Sequence, residues 1–318
     1  MATSKDPAGQ SRNRAKATRL FQARLTIAER EVKAIFRSIP RKRTTKAILP
    51  NESVDVVYGY DLSTTGAIAL QFDIRNALDD ALQAGNRIVP PSPWWWEPLL
   101  EQPYRQGTLE EIRDFNQLIS QAAAAGATGA SGLPLLVTDP TDVLLSADYL
   151  SRVRSVTVRN YGLIKTLSER TAEQVIFQIN DGIQAGNTPG EIRDAIIKRF
   201  DVSRSSAKRI ADTEINRAYT DSRLDAADSA AERSGLRAGV LHISALIPTT
   251  RSSHAARHGN AYTTASQRKW WNSGGNGTNR INCLCNVRSV LIDSSGKVID
   301  STLQKEIKNE GAEFFKAQ

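Results

Sequence analysis

Between Ser11 and Ile39 the apolar residues Phe21, Leu25, Ala28, Val32, Ile35, Phe36 and Ile39 recur at three- and four-residue steps. That is the period of one helix face, and a helix with a single apolar stripe needs something to cover the stripe. The cover comes either from the body of the same chain or from another chain. Pro40 and the Arg-Lys-Arg after it end the pattern. The helical period returns over residues 64–84, with Ile68, Phe72, Ile74, Leu78 and Leu82 apolar, and over 108–125 (TLEEIRDFNQLISQAAAA). The acidic residues of this last stretch suit the first turn of a helix. Helical patterning resumes near Thr141, runs with interruptions to Gly186, and returns from about Arg204 to Gly235. In NTPGEIRDAIIKRF, Thr188 as N-cap, Pro189 at the first helical position and Glu191 three residues after the cap spell a capping box that starts a separate helix. The expected fold is mainly α, with a long N-terminal helix and a helical body.

Several stretches interrupt this period. ESVDVVYGYDL (52–62) alternates and is β-like, as in a hairpin edge. VPPSPWWWEPLLEQP (89–103) holds five prolines and is expected to form neither a helix nor a central strand. Three consecutive tryptophans cannot all face one way, so Trp94, Trp95 and Trp96 are candidates for partner docking or for folding back onto their own core. GATGASGLP (126–134) is a flexible break, and residues 1–10 are expected to be disordered. DALQAGN (80–86) and DGIQAGN (181–187) are two similar helix ends with glycine just past the last turn. After residue 236, AGVLHISALI and CLCNVRSVLID are β-like, so a small C-terminal α+β module follows the helical body. The chain thus divides into a basic arm and helix (1–46), a helical region with a Trp/Pro-rich loop (47–130), a helical body (131–235) and the α+β module with its C-terminal helix (236–318).

No run approaches about 18 uninterrupted apolar residues, so no membrane span is expected. The charged start is followed by no apolar stretch, which argues against a secretory signal. Thirteen Lys and Arg against Asp6, Glu29 and Glu31 give residues 1–46 a net charge of +10 in a chain of net +8, leaving −2 for the remainder. A near-neutral body with a cationic arm could contact nucleic acid through counterion release, without reading its sequence. The candidate contacts are Arg12, Arg14, Lys16, Arg19, Arg24, Arg41, Lys42 and Arg43; the alternative is a solvated face or a partner-docking segment.

The two cysteines, Cys283 and Cys285, lie fewer than 45 residues beyond the three histidines, His242, His254 and His258. One residue between cysteines makes a poor disulfide framework and points to a reducing compartment, or to a particle made in one. A helical turn would put His254 and His258 on one side, and a strand would point both thiols to one face. Two nitrogens and two sulfurs make a tetrahedral zinc set. Zinc knuckles usually hold two residues between cysteines, so the spacing favours the plainer alternative of buried cysteines and hydrogen-bonded histidines. A Cys–His hydrolase oriented by Asn282 or Asn286 is a further alternative, without a nucleophile signature to support it.

An Arg-x-x-His at Arg251 and His254, a His-Gly at His258 and Gly259, the aromatic Tyr262, a Trp-bearing Gly/Asn-rich spacer and then NCLCNV stand in this order. Together they resemble the C-terminal signature of the phage Mu protein F-like minor head proteins, the head morphogenesis family. Asn282, Cys283, Cys285 and Val287 match that ending, with Leu284 in place of the family's arginine. RIADTEINRAYTDSRLDAA is similar to the family's Ala-Arg-Thr-Glu helix, retaining Thr213 and Glu214 and carrying Asp212 where the arginine stands. Ile247 and Thr249 replace an Asp-x-Arg found in many members. The likeness covers about residues 165–293.

The resemblance implies a structural, non-catalytic protein of the virion, made in the host cytoplasm and placed in the head interior or at the portal vertex. It implies several copies per particle, with the portal protein and other capsid proteins as partners, packaged DNA as a further contact, and no membrane. It implies a role in head morphogenesis and in DNA packaging or ejection. Two rivals stand beside it. One is a metal- or thiol-dependent hydrolase of phage entry; the other is a sequence-nonspecific nucleic-acid-binding protein.

Overall fold

The computed structural model describes residues 6–46, 55–83, 94–126, 137–273 and 278–316. In chain order the elements are α1 (Ser11–Ser38), β1 (Arg41–Lys46), β2 (Asp55–Tyr60), α2 (Thr64–Gln83), α3 (Glu97–Ala124), α4 (Pro140–Leu144), α5 (Ala147–Gln184), α6 (Pro189–Ser234), β3 (Ala238–Ile243), α7 (Ser252–Ala255), β4 (Ala261–Tyr262), α8 (Thr264–Asn272), β5 (Asn286–Leu291) and α9 (Thr302–Lys316). The mainly helical class and the small C-terminal β module agree with the sequence. Two compact units are built from alternating stretches of chain. One comprises Met1–Ala15, Glu97–Thr157 and Asp212–Gln318; the other comprises Lys16–Trp96 and Val158–Ala211.

In the second of these units the stripe of α1 is covered by the chain itself: Phe21, Leu25, Ala28, Val32 and Phe36 are buried. On α2 the buried side is Leu70, Ile74, Leu78 and Leu82, whereas Ile68 and Phe72 stay exposed. The tryptophans join this core instead of forming a free docking face. Trp94 and Trp96 are buried, Phe21 meets Trp96 edge-on at 5.2 Å and Trp94 meets Tyr161 at 5.5 Å. Two of the three indole N–H groups find partners: Trp96 Nε1 donates to Asn160 Oδ1 at 3.0 Å and Trp95 Nε1 to the Leu82 carbonyl at 2.8 Å, whereas the buried Trp94 Nε1 has no partner among the described residues. The Arg41–Lys46 stretch, expected as the tail of an arm, is a strand paired antiparallel with β2, Arg41 opposite Tyr60.

Other expectations need correcting. The Pro-rich stretch does contain helix, because α3 starts at Glu97 and runs through Pro103, so Glu110 and Glu111 are not in its first turn. Pro98 sits near the start, where no N–H is needed, and Pro103 sacrifices one internal bond. Residues 6–10 are ordered: Arg14 is paired with Asp6 at 3.0 Å and Ala8 is buried. The capping box forms, with Thr188 N–H donating to Glu191 Oε2 at 2.7 Å and Glu191 N–H to Thr188 Oγ1 at 3.2 Å. The two helices read after it are one helix, α6, of 46 residues. No glycine or proline interrupts it after Gly190, and Ser203 at the supposed joint is buried, its hydroxyl bonded to the Arg199 carbonyl and 2.9 Å from that of Thr171. At the end of α5, Gly186 takes φ +69° and Asn187 N–H reaches back to the Gly182 carbonyl, a glycine-terminated stop. The matching Gly85 and most of the 126–134 break lie outside the described residues.

In the first unit a three-stranded antiparallel sheet of order β4-β3-β5 carries the C-terminal module. Alternation along β3 sorts its two faces. Val240 packs with Leu224 of α6, Trp271, Cys283, Cys285 and Val287, whereas Leu241 packs with Val290, Val298 and Ile307 of α9. His242 shares parity with Val240 and opposes Val287, which brings it to the cysteine face.

Candidate functional site

Three segments converge on that face. β3 presents His242, the single turn α7 presents His254, and the loop before β5 presents Cys283 and Cys285. The cysteines were expected on a strand; they precede it, in a loop whose Asn282 has φ +53°. This loop is held from several sides. Asn216 on α6 donates to the carbonyls of Cys283 (2.8 Å) and Cys285 (3.1 Å), and Asn282 N–H donates to Thr213 Oγ1 at 3.0 Å. Arg251 donates to the carbonyls of Thr278 (2.8 Å) and Ile281. Arg280 is buried, bonded to Thr220 and paired with Asp221 at 2.5 Å, its guanidinium 4.4 Å from the Trp271 ring centre.

At the centre, His254 Nδ1 lies 3.4 Å from Cys285 Sγ and 3.6 Å from Cys283 Sγ. Its Nε2 faces Arg251 at 3.3 Å. Gln267 donates to His242 Nδ1 at 2.9 Å, and the rings of His242 and His254 are 6.3 Å apart, with Trp270 within 4.8 Å of His254 and 5.3 Å of His242. Arg257 stacks between Tyr262 (3.6 Å) and Trp270 (4.2 Å). Burial, reinforced by the positive Arg257, holds the His242 imidazole well below its usual pKa. The two thiols share a proton: bonding from Cys285 draws Cys283 well below the ordinary thiol range, and the same bond pushes Cys285 well above it.

Of the four ligands expected, His254, Cys283 and Cys285 come together and His258 does not. α7 ends at Ala255, before the turn that would align the two imidazoles. His258 instead accepts from Ser244 N–H at 3.0 Å through Nδ1, and its Nε2 lies 3.7 Å from Glu310 of α9. His242 takes the vacated place in the cluster. The asparagines proposed as orienters of a Cys–His pair do not act so: Asn286 donates to the Pro7 carbonyl, Asn282 N–H donates to Thr213, and the group beside His254 Nε2 is Arg251. Among the family-motif residues Thr213, Arg251 and Asn282 hold the cysteine loop, and Glu214 is buried. Gly259 takes φ +71°, and Lys308 of α9 lies so close that no side chain fits there.

Of the eight basic candidates, Arg12, Lys16, Arg19, Arg41, Lys42 and Arg43 are exposed. Arg14 and Arg24 are used internally, Arg24 donating to the Ala81 carbonyl at 2.7 Å and lying over Trp95 at 4.5 Å. Residues missed in the sequence are His242, Asn216, Gln267 and Trp270. Only the adjacent Trp270 and Trp271 carried a visible signal, two large aromatics inside a polar spacer.

No helix among the described residues is long and apolar enough to cross a membrane. No curated protein and no solved structure matches the chain. Residues 173–288 match the family model described as phage Mu protein F like protein, a span that starts in α5 and ends in β5 and so includes every residue of the cluster. Through this region the chain is similar to the phage Mu protein F-like family.

Proposed function

We propose that the chain is a structural protein of phage head morphogenesis, without catalytic activity, that works in the virion bound to the portal protein and other capsid components. Several copies per particle and a place at the portal vertex or in the head interior follow from that reading. The family match over residues 173–288 supports head morphogenesis as the coarse role. The observation that carries the structural reading is how the polar groups of the cluster are used. Thr213, Asn216, Arg251 and Arg280 each bond to backbone or to one another's elements, so the family-matching region spends its chemistry on holding a loop in place.

The test is to purify proheads and filled heads of the phage that encodes the chain and to detect the chain in them by mass spectrometry. Incorporation in both is expected, and loss of incorporation for His254→Ala and Cys283→Ser. A chain made in infected cells but absent from heads overturns the assignment. Variants that fold and enter heads normally, but yield particles that fail only at entry, favour the hydrolase instead.

A further inference from the structure

His242, His254 and Cys285 place one ligand atom each within 4.8 Å of one another, all three buried, and Cys283 Sγ joins them 3.6 Å from His254 Nδ1. Tetrahedral coordination with metal–sulfur bonds of about 2.3 Å and metal–nitrogen bonds of about 2.05 Å spaces sulfur and nitrogen ligands about 3.6 Å apart. The two observed separations, 3.4 and 3.6 Å, match that edge. A second observation is independent of these distances. His242 Nε2 is buried and has no hydrogen-bond partner among the described residues, a costly state for a ring nitrogen unless something else occupies its direction.

We propose that His242, His254, Cys283 and Cys285 form a closed four-ligand site for one divalent ion of the zinc class. Two imidazoles and two thiolates without a carboxylate suit a borderline-soft tetrahedral ion and exclude calcium and magnesium, which take oxygen. The loop is preorganised by Asn216 on both cysteine carbonyls, and a cavity of about 620 Å³ lined by Arg251, His254, Asn282, Cys283 and Cys285 gives the ion a route in. With four protein ligands no coordination position stays open, so the ion fastens β3, α7 and the loop and does no chemistry. Binding releases the one proton that the two sulfurs share. His254 gives the Nδ1 lone pair and carries its proton on Nε2, from which the exposed Arg251 withdraws to the carbonyls it already holds. His242 gives Nε2 and keeps its proton on Nδ1, with the Gln267 amide turned to accept it. His258 takes no part.

The site is tested on the whole chain by stripping metal with a chelator under reducing conditions and titrating cobalt(II), followed by zinc competition. The expected result is one tightly bound equivalent, with the intense visible bands of tetrahedral thiolate-bound cobalt, displaced by zinc. Gln267→Ala is expected to weaken binding roughly 10- to 100-fold, as loss of a supporting bond does. His258→Asn leaves stoichiometry and spectrum unchanged; His242→Asn alters the spectrum or abolishes it. A folded wild-type chain that gives no cobalt bands and binds no zinc overturns the proposal and leaves a metal-free hydrogen-bonded thiol pair. Dependence on His258 with indifference to His242 overturns this ligand set. If His242→Asn fails to fold, the wild-type titration and the Gln267 and His258 variants still decide.

Discussion

Single residues carry the most specific consequences. Asn216→Ala would strip the only side chain that bonds both cysteine carbonyls among the described contacts, and should cost about 1–3 kcal/mol in chemical unfolding. Unchanged stability would show that the loop is held elsewhere. Gly259→Ala forces a side chain into the left-handed region against Lys308 and should cost a further 1–3 kcal/mol or so by the same measurement. Burial lowers the pKa of His258, and burial wins over the partly exposed Glu310 at 3.7 Å, which by itself would favour the charged ring. The unfolded histidine therefore takes its proton first as pH falls. Its stabilising contribution is complete above about pH 6.5 and is lost below it. The urea midpoint should hold between pH 8 and 7 and drop towards pH 5.5, less steeply in His258→Asn; a midpoint that rises on acidification contradicts this. The sequence exposed His254 and both cysteines because they stand close together in a short window. It hid His242 because membership depended on which face of β3 looks at the loop, and the register with β5 fixes that face.

Elements were legible where local chemistry decides them and obscure where distant packing does. The capping box at Thr188 lies within four consecutive residues and forms as its sequence predicts; Thr188→Ala should cost about 0.5–2 kcal/mol. The continuity of α6 past residue 203 was not legible, because a run of small polar residues is neutral about helix, and the buried Ser203–Thr171 contact tips it. Ser205→Pro discriminates the two readings. Within a continuous helix it should cost about 3 kcal/mol or more, lowering the thermal midpoint, whereas a joint between two helices would tolerate it. The start of α3 was missed for the opposite reason: prolines that normally stop a helix sit here at its beginning, and the core formed around Tyr104 and Ile112 carries it past Pro103.

At the scale of the whole molecule, charge counted along the sequence overstates what is available to a partner. Arg14 and Arg24 are bound to their own chain, and Glu29 already receives Lys33 at 2.8 Å and Arg204. The exposed cluster is Arg41, Lys42 and Arg43 on β1, with Arg12, Lys16 and Arg19 along α1. If the packaged genome is a contact, binding to random-sequence DNA should weaken steeply with salt. Replacing Arg41, Lys42 and Arg43 with alanine should then lower the slope of log K against log salt by up to about 0.9 per lost phosphate contact. An unchanged slope assigns these cations to solvent.

Neither compact unit is a continuous piece of chain, and that has a bearing on how the molecule is made. As the polypeptide leaves the ribosome, Phe115 and Ile119 of α3 wait for Ala230 and, later still, for Leu291 before their apolar side is shut. A nascent chain halted short of Asp212 would therefore display that side to the cell, inviting chaperones or proteases, and translation through the last hundred or so residues is what withdraws the invitation.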